Sequence, residues 1–128
     1  MTTVEMKLSK SEEKLMELIW SNQTIFMKDI LESHPDPKPA ASTVATLLKR
    51  MQEKGYVAYN VYGNSRQYYP LVEKPDYFIG KFKTIIKDFF SDSPLKFASF
   101  FTKQADLSTK ELEEIKELVE REIKRRKE

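Results

Sequence analysis

An amphipathic helix that runs directly into a β-hairpin is the feature that most constrains the fold of this chain. The helix is indicated by apolar residues at the spacing i, i+3, i+4 and i+7, namely Val44, Leu47, Leu48 and Met51. Gly55 follows, and glycine readily takes the left-handed conformation that ends a helix. The next segment, YVAYNVYGNSRQYYPLV from Tyr56 to Val72, is rich in Tyr and Val and is interrupted at residues 63–65. This pattern is typical of two strands joined by a turn.

Two further helices are predicted before this unit. Ser9 and Glu12 have the spacing of a capping box, and the helix that they begin has Leu15, Leu18 and Ile19 on one face. A short extended piece at 24–26 precedes a second helix over about 27–33. Prolines keep the segment 34–39 out of a helix. Helix, helix, helix, hairpin is the order of a winged helix-turn-helix domain, in which the third helix enters the DNA major groove and the hairpin is the wing.

The rest of the chain has a purely helical pattern. We expect a helix capped by Asp76, a short helix after Pro94 and a last helix that a capping box at Ser108 and Glu111 begins. Three short helices with this much Phe and Ile would expose a large apolar surface in a monomer, which indicates an interface with a second copy. The predicted dimer residues are Phe82, Ile85, Ile86, Phe89, Leu112, Ile115, Leu118 and Val119.

These patterns predict an α+β, mostly α protein in two domains. Residues 1–73 form the winged helix-turn-helix, and residues 74–128 form a three-helix dimerisation domain.

The outward face of the third helix carries small and hydroxyl-bearing side chains and becomes basic towards its end. Small side chains allow a helix backbone to lie deep in the major groove, and hydroxyl groups reach phosphates and base edges. An ordinary solvated helix face is the alternative interpretation. We place Arg66 at the hairpin turn, where a wing meets phosphate or the minor groove. The predicted DNA-binding residues are Ser42, Thr43, Ala45, Thr46, Lys49, Arg50 and Arg66.

The charge distribution supports this interpretation. The whole chain has a net charge of +2. Residues 1–37 carry four Lys against seven acidic residues, a net charge of −3, whereas residues 38–66 carry a net charge of +4. The charged residues of this second segment are Lys38, Lys49, Arg50, Lys54 and Arg66 against Glu53. Local patches decide phosphate binding, so a domain with this segregation suits DNA.

Several classes of protein are disfavoured. With no cysteine, the chain has no disulfide and no thiolate metal site. His34 is the only histidine, and the three glycines form no phosphate-binding loop, so we expect no enzyme activity, no cofactor and no metal. No apolar run is long enough to span a membrane, and no signal-peptide pattern is present, so we expect a cytoplasmic protein without direct membrane insertion. A winged helix that docks a protein partner instead of DNA is the alternative function.

Four segments resemble the penicillinase repressor family, which includes the regulators of β-lactamase and methicillin resistance. They are LSKSEEKLMELIW, STVATLLKRMQEKGYV, SRQYYPLV and LSTKELEEIKELV. The likeness runs in register from about Leu8 to Val119. It implies a homodimeric transcriptional repressor that binds a palindromic operator, with C-terminal helices that intertwine between subunits.

The resemblance also implies how repression ends. In the β-lactam branch a membrane sensor metalloprotease acts as antirepressor and triggers cleavage within the dimerisation domain. The register places this cleavage between Phe100 and Phe101, where the family has Asn-Phe. Release of the DNA by a small ligand or a partner is the alternative. Close relatives often carry basic residues at the positions of Ser42 and Ala45, which implies a different base preference here. The copper-responsive branch uses cysteine pairs, which this chain lacks.

Overall fold

The computed structural model describes residues 7–128. Its elements are α1 (Lys10–Asn22), β1 (Ile25–Phe26), α2 (Met27–Ser33), α3 (Ala41–Glu53), β2 (Val57–Tyr62), β3 (Ser65–Pro70), α4 (Lys74–Phe89), α5 (Pro94–Gln104) and α6 (Thr109–Lys127). The predicted α+β winged helix-turn-helix fold, followed by three helices, is confirmed. The described residues form two compact units, one that ends at Phe78 and one that spans Ile79–Glu128. The first six residues of the predicted domain 1–73 lie outside the described residues.

Both predicted capping boxes are formed. At the start of α1 the Ser9 hydroxyl oxygen accepts the Glu12 backbone N–H at 3.2 Å, and Glu12 Oε1 accepts the Ser9 N–H at 2.7 Å. Ser108 and Glu111 repeat this arrangement at the start of α6. These bonds satisfy N–H groups that have no partner inside a helix.

The end of α3 fixes the direction in which the chain enters the hairpin. Gly55 has φ 88°, in the left-handed region. Its N–H donates to the Gln52 carbonyl at 3.0 Å, and the Tyr56 N–H donates to the Met51 carbonyl at 2.9 Å. This pair of bonds is the Schellman motif, which ends a helix and turns the chain sharply. β2 begins at Val57, two residues after Gly55, so α3 and the hairpin are joined without a flexible linker.

The three strands form one antiparallel sheet in the order β1-β3-β2. The hairpin turns at Gly63 and Asn64, with Gly63 at φ 62°. Within the hairpin Tyr59 pairs with Tyr68 and Val61 pairs with Arg66, so these four side chains share one face of the sheet. Tyr68 is buried at the base of this face, and Arg66 is exposed nearer the turn.

The buried apolar side chains described in the first unit form one core. Its buried members are Leu8, Leu15, Met16, Ile19, Trp20, Ile25, Ile30, Val44, Leu48, Met51, Tyr56, Val57 and Tyr68. The Trp20 Nε1–H donates to the Val72 carbonyl at 2.8 Å, and the Trp20 ring contacts Tyr77 and Phe78 at centroid distances of 5.6 and 6.0 Å. The first turn of α4 therefore packs onto the winged helix. Because α4 begins at Lys74, Asp76 lies inside that first turn, and its predicted role as the cap is wrong.

The second unit has no buried core of its own. None of residues 79–128, all of which the structure describes, is buried. Aromatic rings meet between α4, the following loop and α5, at Phe82, Phe90, Phe97, Phe100 and Phe101. Elsewhere large apolar side chains face solvent, with Phe89 77% exposed and Leu95 80% exposed. No helix within residues 7–128 is long and apolar enough to cross a bilayer.

Candidate nucleic-acid interface

The outward face of α3 is fully accessible. Six of the seven predicted DNA-binding residues lie on this helix, and all six are exposed: Ser42, Thr43, Ala45, Thr46, Lys49 and Arg50. On the opposite side Val44, Leu48 and Met51 are buried in the core. The helix is thereby held by its apolar stripe and presents the other side to a partner.

The hydroxyl group of Thr46 is oriented by the helix itself. Its Oγ1–H donates to the Ser42 carbonyl at 2.9 Å. The proton is therefore used within α3, and the oxygen keeps both of its lone pairs to act as an acceptor. In the major groove the matching donors are the amino groups of adenine and cytosine. The sequence indicated a polar residue here but not its hydrogen-bonding role.

A groove of about 480 Å³ separates α3 from the hairpin. Its lining residues are Ala45, Thr46, Lys49, Gln52, Glu53, Tyr59, Arg66 and Tyr68. Arg66 is the second residue of β3, two positions after the turn at Gly63 and Asn64, and pairs with Val61, so it lies on the strand and not at the predicted turn itself. The alternation of side chains along β3 puts Arg66 on the same face as Tyr68, beside α3. Lys49 and Arg66 therefore line one groove from its two sides.

The Arg66 side chain is supported by two tyrosines. Its guanidinium carbon lies 4.4 Å from the centroid of the Tyr59 ring, a cation–π contact. The Tyr59 ring contacts the Tyr68 ring at a centroid distance of 5.4 Å. A side-chain hydrogen bond with Tyr68 and the neighbouring Tyr59 raise the pKa of Arg66 above its ordinary value, so the group stays cationic. Residue type alone does not indicate this role for the tyrosines, whereas the strand register places both of them beside Arg66.

Not every cation of the basic segment is available to a ligand. The Lys38 ammonium donates to the Glu32 and His34 carbonyls at 3.2 and 2.9 Å, where it caps the end of α2. The Lys54 ammonium is also engaged within the protein. By contrast, Lys49 and Arg50 form no ion pair within residues 7–128. Within residues 38–66 the positive charge that is not engaged by the protein is therefore concentrated on α3 and at Arg66.

Lys54 connects the end of α3 to the start of α1. Its Nζ donates to Glu12 Oε1 at 2.8 Å and to the Lys7 carbonyl at 2.8 Å. The Glu12 side chain is only 2% exposed. Burial opposes its ionisation, but the hydrogen bonds from Lys54 and from the Ser9 N–H outweigh this effect and lower the pKa of Glu12. Lys54 contributes to the net charge of residues 38–66, but the sequence gives no sign of this buried pair.

The predicted dimer residues lie on the three C-terminal helices. Five are exposed in the single chain and three are half-buried: Phe82, Phe89, Leu112, Leu118 and Val119 in the first group, and Ile85, Ile86 and Ile115 in the second. The candidate cleavage bond between Phe100 and Phe101 lies inside α5.

No group of three or more His, Asp or Glu side chains in the described part of the chain is placed to hold a metal ion.

The similarity of this chain to known proteins extends over nearly its whole length. A family model described as penicillinase repressor matches residues 8–121. The methicillin resistance regulatory protein MecI of Staphylococcus aureus is 26% identical over 114 residues, which cover 88% of this chain and 93% of that protein. The penicillinase repressor of Bacillus licheniformis is 23% identical over 123 residues, which cover 95% of this chain and 96% of that protein. The crystal structure of M. tuberculosis Rv0081 aligns with a TM-score of 0.46 and 19% identity over 66% of this chain and 81% of that one.

Proposed function

This chain belongs to the penicillinase repressor family, and from that premise we propose that it is a homodimeric transcriptional repressor that binds a palindromic operator in double-stranded DNA. Members of this family are transcription regulators and not enzymes. The relatives are named for methicillin resistance and for penicillinase, so the proposed targets are β-lactam resistance genes or related genes.

The observation that carries the proposal is the exposed face of α3 together with the basic groove beside it. Thr43 and Thr46 face outward on a helix whose other side is buried, and Lys49 and Arg66 lie on the two sides of the adjoining groove. Hydroxyl groups suit base edges in the major groove, and unpaired cations suit phosphates. In this proposal α3 is the recognition helix and the hairpin is the wing.

The exposed second unit supports the proposed dimer. A stretch of fifty residues, 79–128, without one buried side chain cannot be stabilised by its own core. Its exposed apolar residues include Phe82, Phe89, Leu112 and Leu118. A second copy would bury these surfaces and would place two α3 helices on one DNA molecule. The two-fold symmetry of such a dimer calls for two half-sites about one or two helical turns apart.

Release of the operator is proposed to follow cleavage between Phe100 and Phe101, triggered by a membrane sensor metalloprotease. The cut would separate the winged helix from α6, which carries Leu112, Ile115, Leu118 and Val119 of the proposed interface. Two half-site contacts joined in one dimer gain roughly 10²–10⁴-fold in affinity over a single contact, and that gain would be lost.

Titration of a palindromic duplex from the promoter of a candidate target gene tests the proposal. We expect one dimer per site. If each subunit neutralises a few phosphates, the slope of log K against log salt should be about −4 to −8, at about 0.9 per phosphate. A scrambled duplex of equal length is the control and should bind more weakly with a similar slope. A flat salt response, or saturation at one monomer per palindrome, would refute the proposal.

A further inference from the structure

Arg66 is held in place by the sheet itself. Its guanidinium carbon is 4.4 Å from the centre of the Tyr59 ring, and that ring is backed by Tyr68 at 5.4 Å. Tyr68 is 3% exposed and belongs to the core of the first unit. A continuous row of side-chain contacts therefore runs from the buried Tyr68, through the half-buried Tyr59, to the exposed cation of Arg66.

The strand register explains why these three side chains meet. Tyr59 and Tyr68 are paired residues, and Arg66 lies two positions before Tyr68 on the same strand. Arg66 and Tyr59 are thus diagonal neighbours on one face, a spacing that long and aromatic side chains bridge. A long arginine that is free in solution samples many rotamers, and an ordered one loses less conformational freedom when it binds.

We infer that Tyr59 is a positioning residue for DNA binding: its ring holds the Arg66 guanidinium at the mouth of the groove, directed at a DNA backbone phosphate that Lys49 contacts from the α3 side. This inference rests on the proposed function and adds a residue to it. A guanidinium matches the geometry of a phosphate, and its position over an aromatic face leaves N–H groups at its edge in addition to the one that bonds to Tyr68. Tyr59 itself need not touch DNA.

A double-mutant cycle in the full-length protein tests the inference. The probe is a duplex of unrelated sequence, about 30 base pairs or three helical turns long, at low salt, because phosphate contacts govern binding to any sequence. Tyr59→Leu should weaken binding about two- to fivefold, as expected for an exposed cation–π contact. Tyr59→Phe keeps the ring face and should bind within about 1.5-fold of the unmodified protein. In an Arg66→Ala background Tyr59→Leu should cause no further loss.

The outcomes separate the inference from the function on which it rests. If the unmodified protein does not bind DNA, the proposed function fails. If it binds, and Tyr59→Leu causes the same loss with or without Arg66, the positioning role is refuted. A Tyr59→Leu protein that binds as tightly as the unmodified one also refutes it.

Two controls guard against a general effect on the fold. Tyr62→Leu removes an exposed aromatic ring from the opposite face of β2, where it contacts Phe26, and reports the effect of losing any ring from this strand. Thermal melting shows which variants are folded. Should Tyr59→Leu not fold, Tyr59→Val takes its place in the cycle, because a β-branched residue suits a strand.

Discussion

Glu12 and Lys54 form an ion pair of 2.8 Å that joins the first turn of α1 to the end of α3, 42 residues later in the chain. The carboxylate is buried, and its Oε2 atom has no hydrogen-bond partner within residues 7–128. Most of the carboxylate's stabilisation therefore comes from Lys54 and from the Ser9 N–H. Since Lys54 follows directly on α3, this pair contributes to the position of the proposed recognition helix.

Removal of Lys54 should destabilise the fold. In Lys54→Met the buried Glu12 carboxylate loses its counter-charge, and we expect the free energy of unfolding to fall by about 2–4 kcal/mol. Urea denaturation measures this change. Lys49→Met, an exposed lysine one turn earlier on α3, is the matched control and should change stability by less than about 0.5 kcal/mol. Equal effects of the two substitutions would show that the buried pair adds nothing.

The same pair predicts a dependence of stability on pH. The pKa of Glu12 is lowered in the folded protein, with 4.5 as its ordinary value. Its contribution is therefore fully present above pH 4.5 and is lost as the pH falls through the lower folded pKa. Compared with the unmodified protein, Glu12→Gln should flatten the fall in melting temperature in this acid range. If the melting temperatures of the two proteins fall by the same amount between neutral and acid pH, the prediction is contradicted.

The hydroxyl of Thr46 should read a base, whereas Lys49 should only attract DNA. Thr46→Val keeps the side-chain shape and removes the acceptor, so discrimination at one base position should fall by about 1 kcal/mol. Lys49→Ala should weaken binding to all sequences alike and reduce the salt slope by about 0.9. Affinities for a set of singly substituted operator duplexes give both quantities. An unchanged base preference in Thr46→Val would show that the Thr46 hydroxyl does not contribute to base recognition.

Phe89 should be required for the dimer and not for the fold of the first unit. Its side chain is 77% exposed in the single chain, so its truncation removes little packing there. At the centre of an interface the same truncation costs about 2 kcal/mol or more of association. Sedimentation velocity should show a monomer for Phe89→Ala and a dimer for the control Lys87→Ala on the same helix. A dimer for Phe89→Ala would place the interface elsewhere on the C-terminal helices.

Cleavage between Phe100 and Phe101 should require local opening of α5. The bond lies inside the helix, the Phe101 carbonyl accepts the Ala105 N–H at 3.0 Å, and the Phe100 ring contacts Phe90. A helical bond becomes a protease substrate only when the helix opens. In cells exposed to a β-lactam we expect an N-terminal fragment that ends at Phe100, detected by immunoblotting, and none for Phe101→Asp. Persistence of the intact protein while target genes are expressed would rule out this mechanism.

Several elements could be read directly from local sequence. The apolar period placed α3, Ser9 and Glu12 placed the start of α1, and Gly55 placed the end of α3. Each of these signals acts over a few residues, through backbone hydrogen bonds or one helical face. The order of these elements, helix, helix, helix, hairpin, is that of a winged helix, and it indicated the fold.

The site itself depended on contacts between distant segments. Residue type marked Arg66, Lys54 and Thr46 as polar and available, yet each has a specific partner: the Tyr59 ring, the Glu12 carboxylate and the Ser42 carbonyl. The first partner follows from strand register and the second from packing across 42 residues, and neither leaves a periodic trace in the sequence. The sequence by itself determined which elements form and in what order, because helix period, caps and turns are local. Only the tertiary structure decided which cations remain free for DNA, because charges are paired or released by the packing of one element against another.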